Sequence, residues 1–203
     1  MGRALLKAIP FQAGSIHYQF KDEKFDLNGL SGSSLKAFRH HAQMVFQDPY
    51  GSLNPRLTVR DIIAEPLEAM QLTQNRNETD LRVHEVATRC RLELENLRRF
   101  PHAFSGVQRQ RISIARALIC RPSFIVADEA VAALDVKIQA EILELIKELQ
   151  KELGLTIFFI SHDLSVIANL CKQLLVMQHG KIVGQGPVAV SYTHLTLPTI
   201  VSV

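Results

Sequence analysis

The chain has no tryptophan, only three cysteines and few aromatic residues. Cys90, Cys120 and Cys171 are odd in number and scattered, without the paired spacing that zinc or redox chemistry needs, so they read as reduced thiols of a cytosolic protein rather than a disulfide framework. No apolar run approaches the ~20 residues needed to cross a bilayer. The most apolar stretch, Leu155 to Ile160, stops at Ser161-His162-Asp163. The first nine residues, Met1 to Ile9, are too short in apolar character and too poor in a cleavage site for a secretory signal, and read instead as the end of a helix. Charge of one sign is also scarce: a net +3 is too small to demand a nucleic-acid partner, although arginines crowd Arg98 to Arg121 and can favour phosphate groups.

What remains is an ordinary globular composition, 47% hydrophobic and 21% charged over 203 residues. A single domain of that size buries roughly 70% of the surface its unfolded chain exposes. No internal repeat or low-complexity block interrupts it. Short β-prone runs at Ser15 to Phe20 and Ala42 to Phe46 flank a helix capped near Ser31 to Ser34 and running to about His40, and Gln47 to Arg56 reads as a loop. Helical spacing covers Thr58 to Gln71, where Pro66 sits at a position that kinks a helix, and Glu78 to Leu92, with Asn77 as its expected cap. From Phe100 onward the order is helix, strand, helix, strand, helix, strand: Ser105 to Cys120, Ser123 to Ala127, Val136 to Leu153, Thr156 to Ile160, Leu164 to Leu170 and Leu174 to Met177. Such alternation predicts a parallel sheet with helical crossovers, and the strands apolar on both faces predict burial between helix layers. Gln178 and His179-Gly180 predict a turn into Lys181 to Gly184.

Chemistry concentrates at strand ends. Phe124-Ile125-Val126-Ala127 runs into Asp128-Glu129, which puts two carboxylates where open α/β sheets bind ligands. An aspartate there can hold magnesium through water, and the adjacent glutamate can orient and deprotonate a water attacking a phosphoryl group. Two acids that merely end a strand in solvent are the plain alternative. Ser105-Gly106-Val107-Gln108 opens a helix whose first amides can attract phosphate, or Ser105 is an ordinary N-cap. His162 follows another apolar strand and can reach a phosphate oxygen at the same sheet edge, or is a surface histidine. Asp135, after Ala133-Leu134, is most simply a helix cap.

Taken in order, Gln47 after a strand, then Ser105 to Arg111 (SGVQRQR), Val126 to Glu129 (VADE), Ala133 to Asp135 and Ser161 to Asp163 make a pattern far more specific than any one match. Over Gly2 to Pro187 it resembles the nucleotide-binding domain of ABC transporters. The resemblance implies an α/β fold of the P-loop NTPase kind, with a mostly parallel sheet and a helical signature subdomain at about residues 58–120, in a domain covering 1–187. It implies ATP and Mg2+ as cofactors, Asp128 as the Walker B magnesium residue, and Glu129 as catalytic base. Gln47 would be the Q-loop glutamine touching magnesium, Ser105, Gly106 and Gln108 the signature that serves a partner's ATP, Asp135 the D-loop residue, and His162 the switch histidine. It further implies a second ABC ATPase subunit in a homo- or heterodimer, integral membrane permease subunits, an extracytoplasmic substrate-binding protein acting indirectly, no nucleic acid, and a peripheral place on the cytoplasmic face of a bacterial membrane. Gln47 to Pro55 and Phe100 to Phe104 look like the dipeptide and oligopeptide importer branch.

Four departures accompany the likeness. No glycine-rich turn ending in Gly-Lys-Ser or Gly-Lys-Thr occurs; Gly29 to Gly32 lacks the lysine, and Gly2 to Leu6 resembles the helix that follows such a turn, so the chain is expected to start just downstream of a P-loop and to lack ATPase activity alone. Val107 replaces the usual second signature glycine and is expected to obstruct close backbone approach or a positive φ. Ala130 replaces the usual proline after Glu129. The tail 188–203 carries no charged Asp, Glu, Lys or Arg from Ser191 onward, and is read as a translated adapter or frameshifted end, β-prone and sticky. Other readings remain open: a non-catalytic remnant, or an ABC-type ATPase of nucleic-acid repair or translation. The echo of an RNA-helicase D-E-A-D box at Asp128 to Val131 is opposed by the SGVQRQR segment before it.

Overall fold

Alternation of apolar side chains across the strands decides the architecture. The computed structural model describes residues 1–11, 13–132, 134–188 and 200–202, the side chains of the last three excepted. In β4 (Phe124–Asp128), Ile125 and Ala127 face one core cluster while Val126 faces another, and in β5 (Thr156–Ser161) Ile157 and Phe159 oppose Phe158 and Ile160 in the same way. With period two and no polar face, such strands are stable only between two layers. One layer is formed by α4 (Val59–Met70), α5 (Arg76–Arg89), α6 (Gly106–Leu118), α7 (Val136–Leu153) and α8 (Leu164–Leu170). The other holds α1 (Gly2–Leu5), α2 (Gly32–His41) and an antiparallel ribbon of β1 (His17–Phe20) and β2 (Glu23–Asp26). The α1 helix lies so close to the sheet that a Cβ on Gly2 would meet Val126 Cγ1 at 2.7 Å, which only glycine avoids.

The sheet order is β3-β4-β5-β8-β6-β7, with β3 at Ala42–Val45, β6 at Gln173–Gln178, β7 at Lys181–Pro187 and β8 at Ile200–Ser202. The β3, β4 and β5 strands run parallel, as the helix-strand alternation predicts. One addition to that reading stands out, and the expected hairpin turn is present. The β8 strand comes from the tail and inserts antiparallel between β5 and β6, pairing Phe159 to Ser161 on one side and Leu174 to Val176 on the other. The β6–β7 hairpin turns through His179 and Gly180, both at positive φ, the pair of left-handed residues that a two-residue hairpin requires.

Several boundaries differ from expectation for local reasons. Asn75, not Asn77, caps α5: its Oδ1 accepts from the Glu78 amide, and Glu78 reaches back to the Gln74 amide. The Gln47 to Arg56 loop contains a single helical turn, α3 (Pro49–Ser52), because Asp48 caps it and Pro49 is preset for a first helical position. The ribbon strand β2 escapes notice because Glu23 to Asp26 is polar except for Phe25. The α4 helix runs on through Pro66 to a left-handed end at Gln71. Buried Cys90 and Cys120 have thiols pushed up to about 12 by burial, and no disulfide occurs among the described residues. No helix among those residues is long and apolar enough to cross a membrane. Of the tail, only β8 and Val188 are described; residues 189–199, on which the adapter reading mainly rests, lie outside the described set.

Candidate functional site at the carboxyl end of the sheet

The chain leaves β4 at Asp128 and turns at once. Glu129 has φ 47°, in the left-handed region that side-chain-bearing residues rarely adopt, and its amide donates to Ile160 O of β5 at 2.9 Å. That cross-strand bond fixes the turn and aims the carboxylate back over the sheet edge instead of along the strand.

Two residues from other strand ends meet it there. Gln47 follows β3 by two positions, and its Nε2 donates to Glu129 Oε2 at 2.6 Å. His162 follows β5 directly, and its Nδ1 lies 3.3 Å from Glu129 Oε1. The Glu129 side chain is 24% exposed and that of His162 is 64% exposed, so the carboxylate is sheltered while the imidazole faces solvent. The parallel registers of β3, β4 and β5 bring the three residues together, although 82 and 33 sequence positions separate the contacting pairs. One carboxylate held between an amide donor and an imidazole is a suitable seat for a water whose proton it can take.

Asp128 is half-buried, and its carboxylate has no hydrogen bond or ion pair among the described residues. With Gln47 it lines a 760 Å³ cleft that Arg3, Arg39, Glu65 and Arg116 also border. An unpaired carboxylate that shares a cleft with an amide side chain supplies hard oxygens of the type magnesium accepts when water and phosphate complete its shell. No group of three or more acidic, histidine or cysteine side chains that could hold a metal by themselves occurs among the described residues. The donor set therefore fits magnesium brought with a nucleotide, and does not fit a metal caged by protein alone.

The remaining predicted residues sit at two helix starts. Ser105 caps α6 in a full capping box: its Oγ accepts from the Gln108 amide at 3.4 Å, and the Ser105 amide donates to Gln108 Oε1 at 3.0 Å. Asp135 caps α7, accepting from the Ile138 amide at 3.1 Å. Their plain capping roles are thus both present. Gly106 is open toward Leu134, whose Cδ2 would lie 4.0 Å from an added Cβ, so the α6 start and the α7 entry are neighbours. Neither Ser105, Gly106, Gln108 nor Asp135 touches the Glu129 group through any hydrogen bond or ion pair described. Val107 is inside α6 without a positive φ and packs half-buried against the core, so the positive-φ conflict does not arise.

Four arginines of the crowd are used internally. Arg109 donates to Pro101 O and His102 O, Arg111 to Arg91 O, Arg116 to Ser52 O, and Arg121 pairs with Glu85. Sequence reasoning missed the contacts of Arg109 and Arg116 with the Gln47 loop, and apart from the clustering itself no sequence signal points to them.

Comparison with known proteins gives the family. The ABC transporter family profile matches residues 2–132. The chain is 46% identical over 194 residues to the oligopeptide transport ATP-binding protein OppF of Streptococcus mutans, covering 96% of this chain and 62% of that protein. It is 52% identical over 157 residues to OppF of Bacillus subtilis, covering 77% of this chain and 52% of that one. With the dipeptide transport ATP-binding protein DppF of Lactococcus lactis it shares 44% identity over 196 residues, again covering 96% of this chain and 62% of the relative. The chain thus spans between 52% and 62% of the length of these curated relatives. Among solved structures, CbiO1 of Clostridium perfringens, part of an ABC transporter complex, superposes with TM-score 0.79 at 26% identity, over 95% of this chain and 73% of its own. A dimeric ATP-binding cassette in a post-hydrolysis state with ADP and Pi superposes with TM-score 0.77 at 26% identity, over 92% and 78%. The strand-end cluster, the family profile and these likenesses agree that the chain belongs to the ABC transporter family and has the fold of its ATP-binding cassettes.

Proposed function

We propose that this chain is the greater part of an ATP-hydrolysing subunit that energises a bacterial peptide importer. The convergence of Gln47 and His162 on Glu129 at the carboxyl end of the sheet carries the reading. Glu129 takes the proton of the attacking water at its carboxylate. Gln47 and His162 hold that carboxylate in place, and Asp128 with the Gln47 side-chain oxygen would hold magnesium. Magnesium supplies charge neutralisation on the phosphate oxygens. Ser105, Gly106 and Gln108 open α6, whose N-terminal end favours an anion, and are assigned to the ATP held by a second subunit; Asp135 is assigned to the contact between the two subunits. ATP itself needs a phosphate cradle in addition, because residues 1–203 contain no Gly-Lys-Ser or Gly-Lys-Thr turn.

The identity with OppF and DppF, proteins named for oligopeptide and dipeptide transport, supports peptides as the cargo. The same likeness supports membrane permease subunits as partners, a second ABC ATPase subunit, an extracytoplasmic binding protein acting indirectly, and a peripheral place on the cytoplasmic face. The division into a 1–187 cassette with helices of about 58–120 as its signature part is our reading on the same grounds.

The test is Glu129→Gln in the complete subunit, assayed for ATP hydrolysis and ATP binding. Hydrolysis is expected to fall by about 100- to 10,000-fold, the usual contribution of a general base, with ATP binding retained. Undiminished turnover in that variant would remove Glu129 from the reaction.

A further inference from the structure

The loop that carries Gln47 is gripped by one face of α6. Arg109 and Arg116 lie two helical turns apart, so they project from the same side. Arg116 Nη1 donates to Ser52 O at 2.6 Å, and its guanidinium carbon lies 5.9 Å from the Phe46 ring centroid. Arg109 lies with its guanidinium carbon 4.0 Å from the Tyr50 ring centroid, while its Nε donates to Pro101 O at 2.8 Å and its Nη2 to His102 O at 3.3 Å. Phe46, Tyr50 and Ser52 are thus held on either side of Asp48 and along the α3 turn, immediately beside Gln47.

The two grips differ in kind. Arg116 is half-buried, forms no salt bridge among the described residues, and has its pKa lowered by desolvation, with Glu65 acting in the opposite sense. A half-buried cation whose hydrogen-bond partner is one carbonyl is costly to leave unpaired, so the Ser52 carbonyl does not drift from it without penalty. Tyr50 is 63% exposed, and the guanidinium of Arg109 covers its ring. That contact is weaker and can open and close.

From Glu129 the connection is continuous. Gln47 bonds Glu129, the loop after Gln47 is fastened to α6 at Tyr50 and Ser52, and α6 begins at the Ser105 capping box. We propose that Arg109 and Arg116 are positioning residues that lock the Gln47 loop to α6, so that the Gln47–Glu129 contact and the Ser105 end of α6 move as one body. The catalytic meaning of the lock rests on the proposed function; its mechanical existence does not.

Amide hydrogen exchange on the 203-residue chain tests the lock directly. Tyr50→Ala is expected to speed exchange about threefold in both the 48–52 loop and the first turn of α6, with β4 and α7 unchanged, and Tyr50→Phe, which keeps a ring under Arg109, is expected to restore wild-type rates. Arg116→Met, which keeps the apolar stem, is expected to give about a tenfold increase in the same two segments. Faster exchange confined to the loop, or equal effects of Tyr50→Ala and Tyr50→Phe, would overturn the proposal. Because the Tyr50 ring is exposed, that pair of variants decides the matter even if Arg116→Met does not fold. In the complete hydrolysing subunit, Tyr50→Ala should lower kcat with KM for ATP unchanged; unchanged kcat alongside altered exchange would overturn the positioning role. Failure of the functional reading shows separately, as full turnover by Glu129→Gln.

Discussion

Single residues determine how the site is aimed and how its second half is built. Glu129 adopts a left-handed backbone in order to face both Gln47 and His162, and strain of that kind persists only where surrounding bonds enforce it, here the amide bond to Ile160 O. Val107 shows the opposite relation of residue to backbone. It sits in ordinary helix and packs against the core, so what it adds is a branched side chain near the surface of the α6 start. Replacing it by glycine removes partly buried methyl groups and lowers helix propensity, a combined loss of about 1–2 kcal/mol. In the complete subunit, Val107→Gly is therefore expected to lower the urea midpoint while strengthening ATP-driven dimerisation, read by size-exclusion chromatography with ATP. Unchanged dimerisation would count against any steric role of Val107 at the interface.

At the scale of elements, caps and ion pairs hold the helical layer that carries α6. Thr58 caps α4, and its hydroxyl donates to Asp61 at 2.6 Å. That hydrogen bond, aided by Arg60, holds the Asp61 carboxyl below the ordinary aspartate value of 3.8 against some desolvation. A carboxyl depressed in the folded state contributes stability that is present above the unfolded value and is lost as pH falls through the folded one. The α4 cap is therefore expected to weaken only below about pH 4. Urea unfolding from pH 6 down to pH 2 should show a steeper acid decline for the wild type than for Asp61→Asn, which cannot titrate. Parallel profiles would mean that Asp61 contributes nothing through its charge. Arg60 also bonds Asp80 of α5, which ties α4 to α5.

The whole molecule is a layered sheet whose central slot, between β5 and β6, is filled by three residues of the tail. Removing residues 189–203 would leave unpaired edges in mid-sheet, where apolar strands invite pairing with other chains. The shortened protein is expected to unfold at a lower temperature and to self-associate, measurable by calorimetry and light scattering. Equal stability and a monodisperse solution would mean that β8 adds nothing to the sheet. The 203-residue chain is expected to show no measurable ATP turnover, since it contains no Gly-Lys-Ser or Gly-Lys-Thr turn to stabilise the transferring phosphoryl group. Turnover that Glu129→Gln abolishes would overturn that expectation. With a net charge of only +3 and the arginines of α6 bonded within the chain, no salt-sensitive affinity for DNA or RNA is expected.

Sequence by itself determined the features that repeat along one strand or helix. Unbroken apolar runs at Phe124 to Ala127 and Thr156 to Ile160 pointed to buried parallel strands, and the apolar run of α7 ended at Gly154, which takes the left-handed cap that glycine allows. Asp128, Glu129 and His162 were legible because each follows an apolar strand, and strand ends are where α/β sheets gather ligands. Tertiary structure decided everything that depends on register between distant segments. The meeting of Gln47 with Glu129, the grip of Arg109 and Arg116 on Tyr50 and Ser52, and the seating of β8 between β5 and β6 all join residues with no local relation. Local periodicity records which face of a strand is buried, whereas the partner across the sheet edge is set by packing of the whole chain.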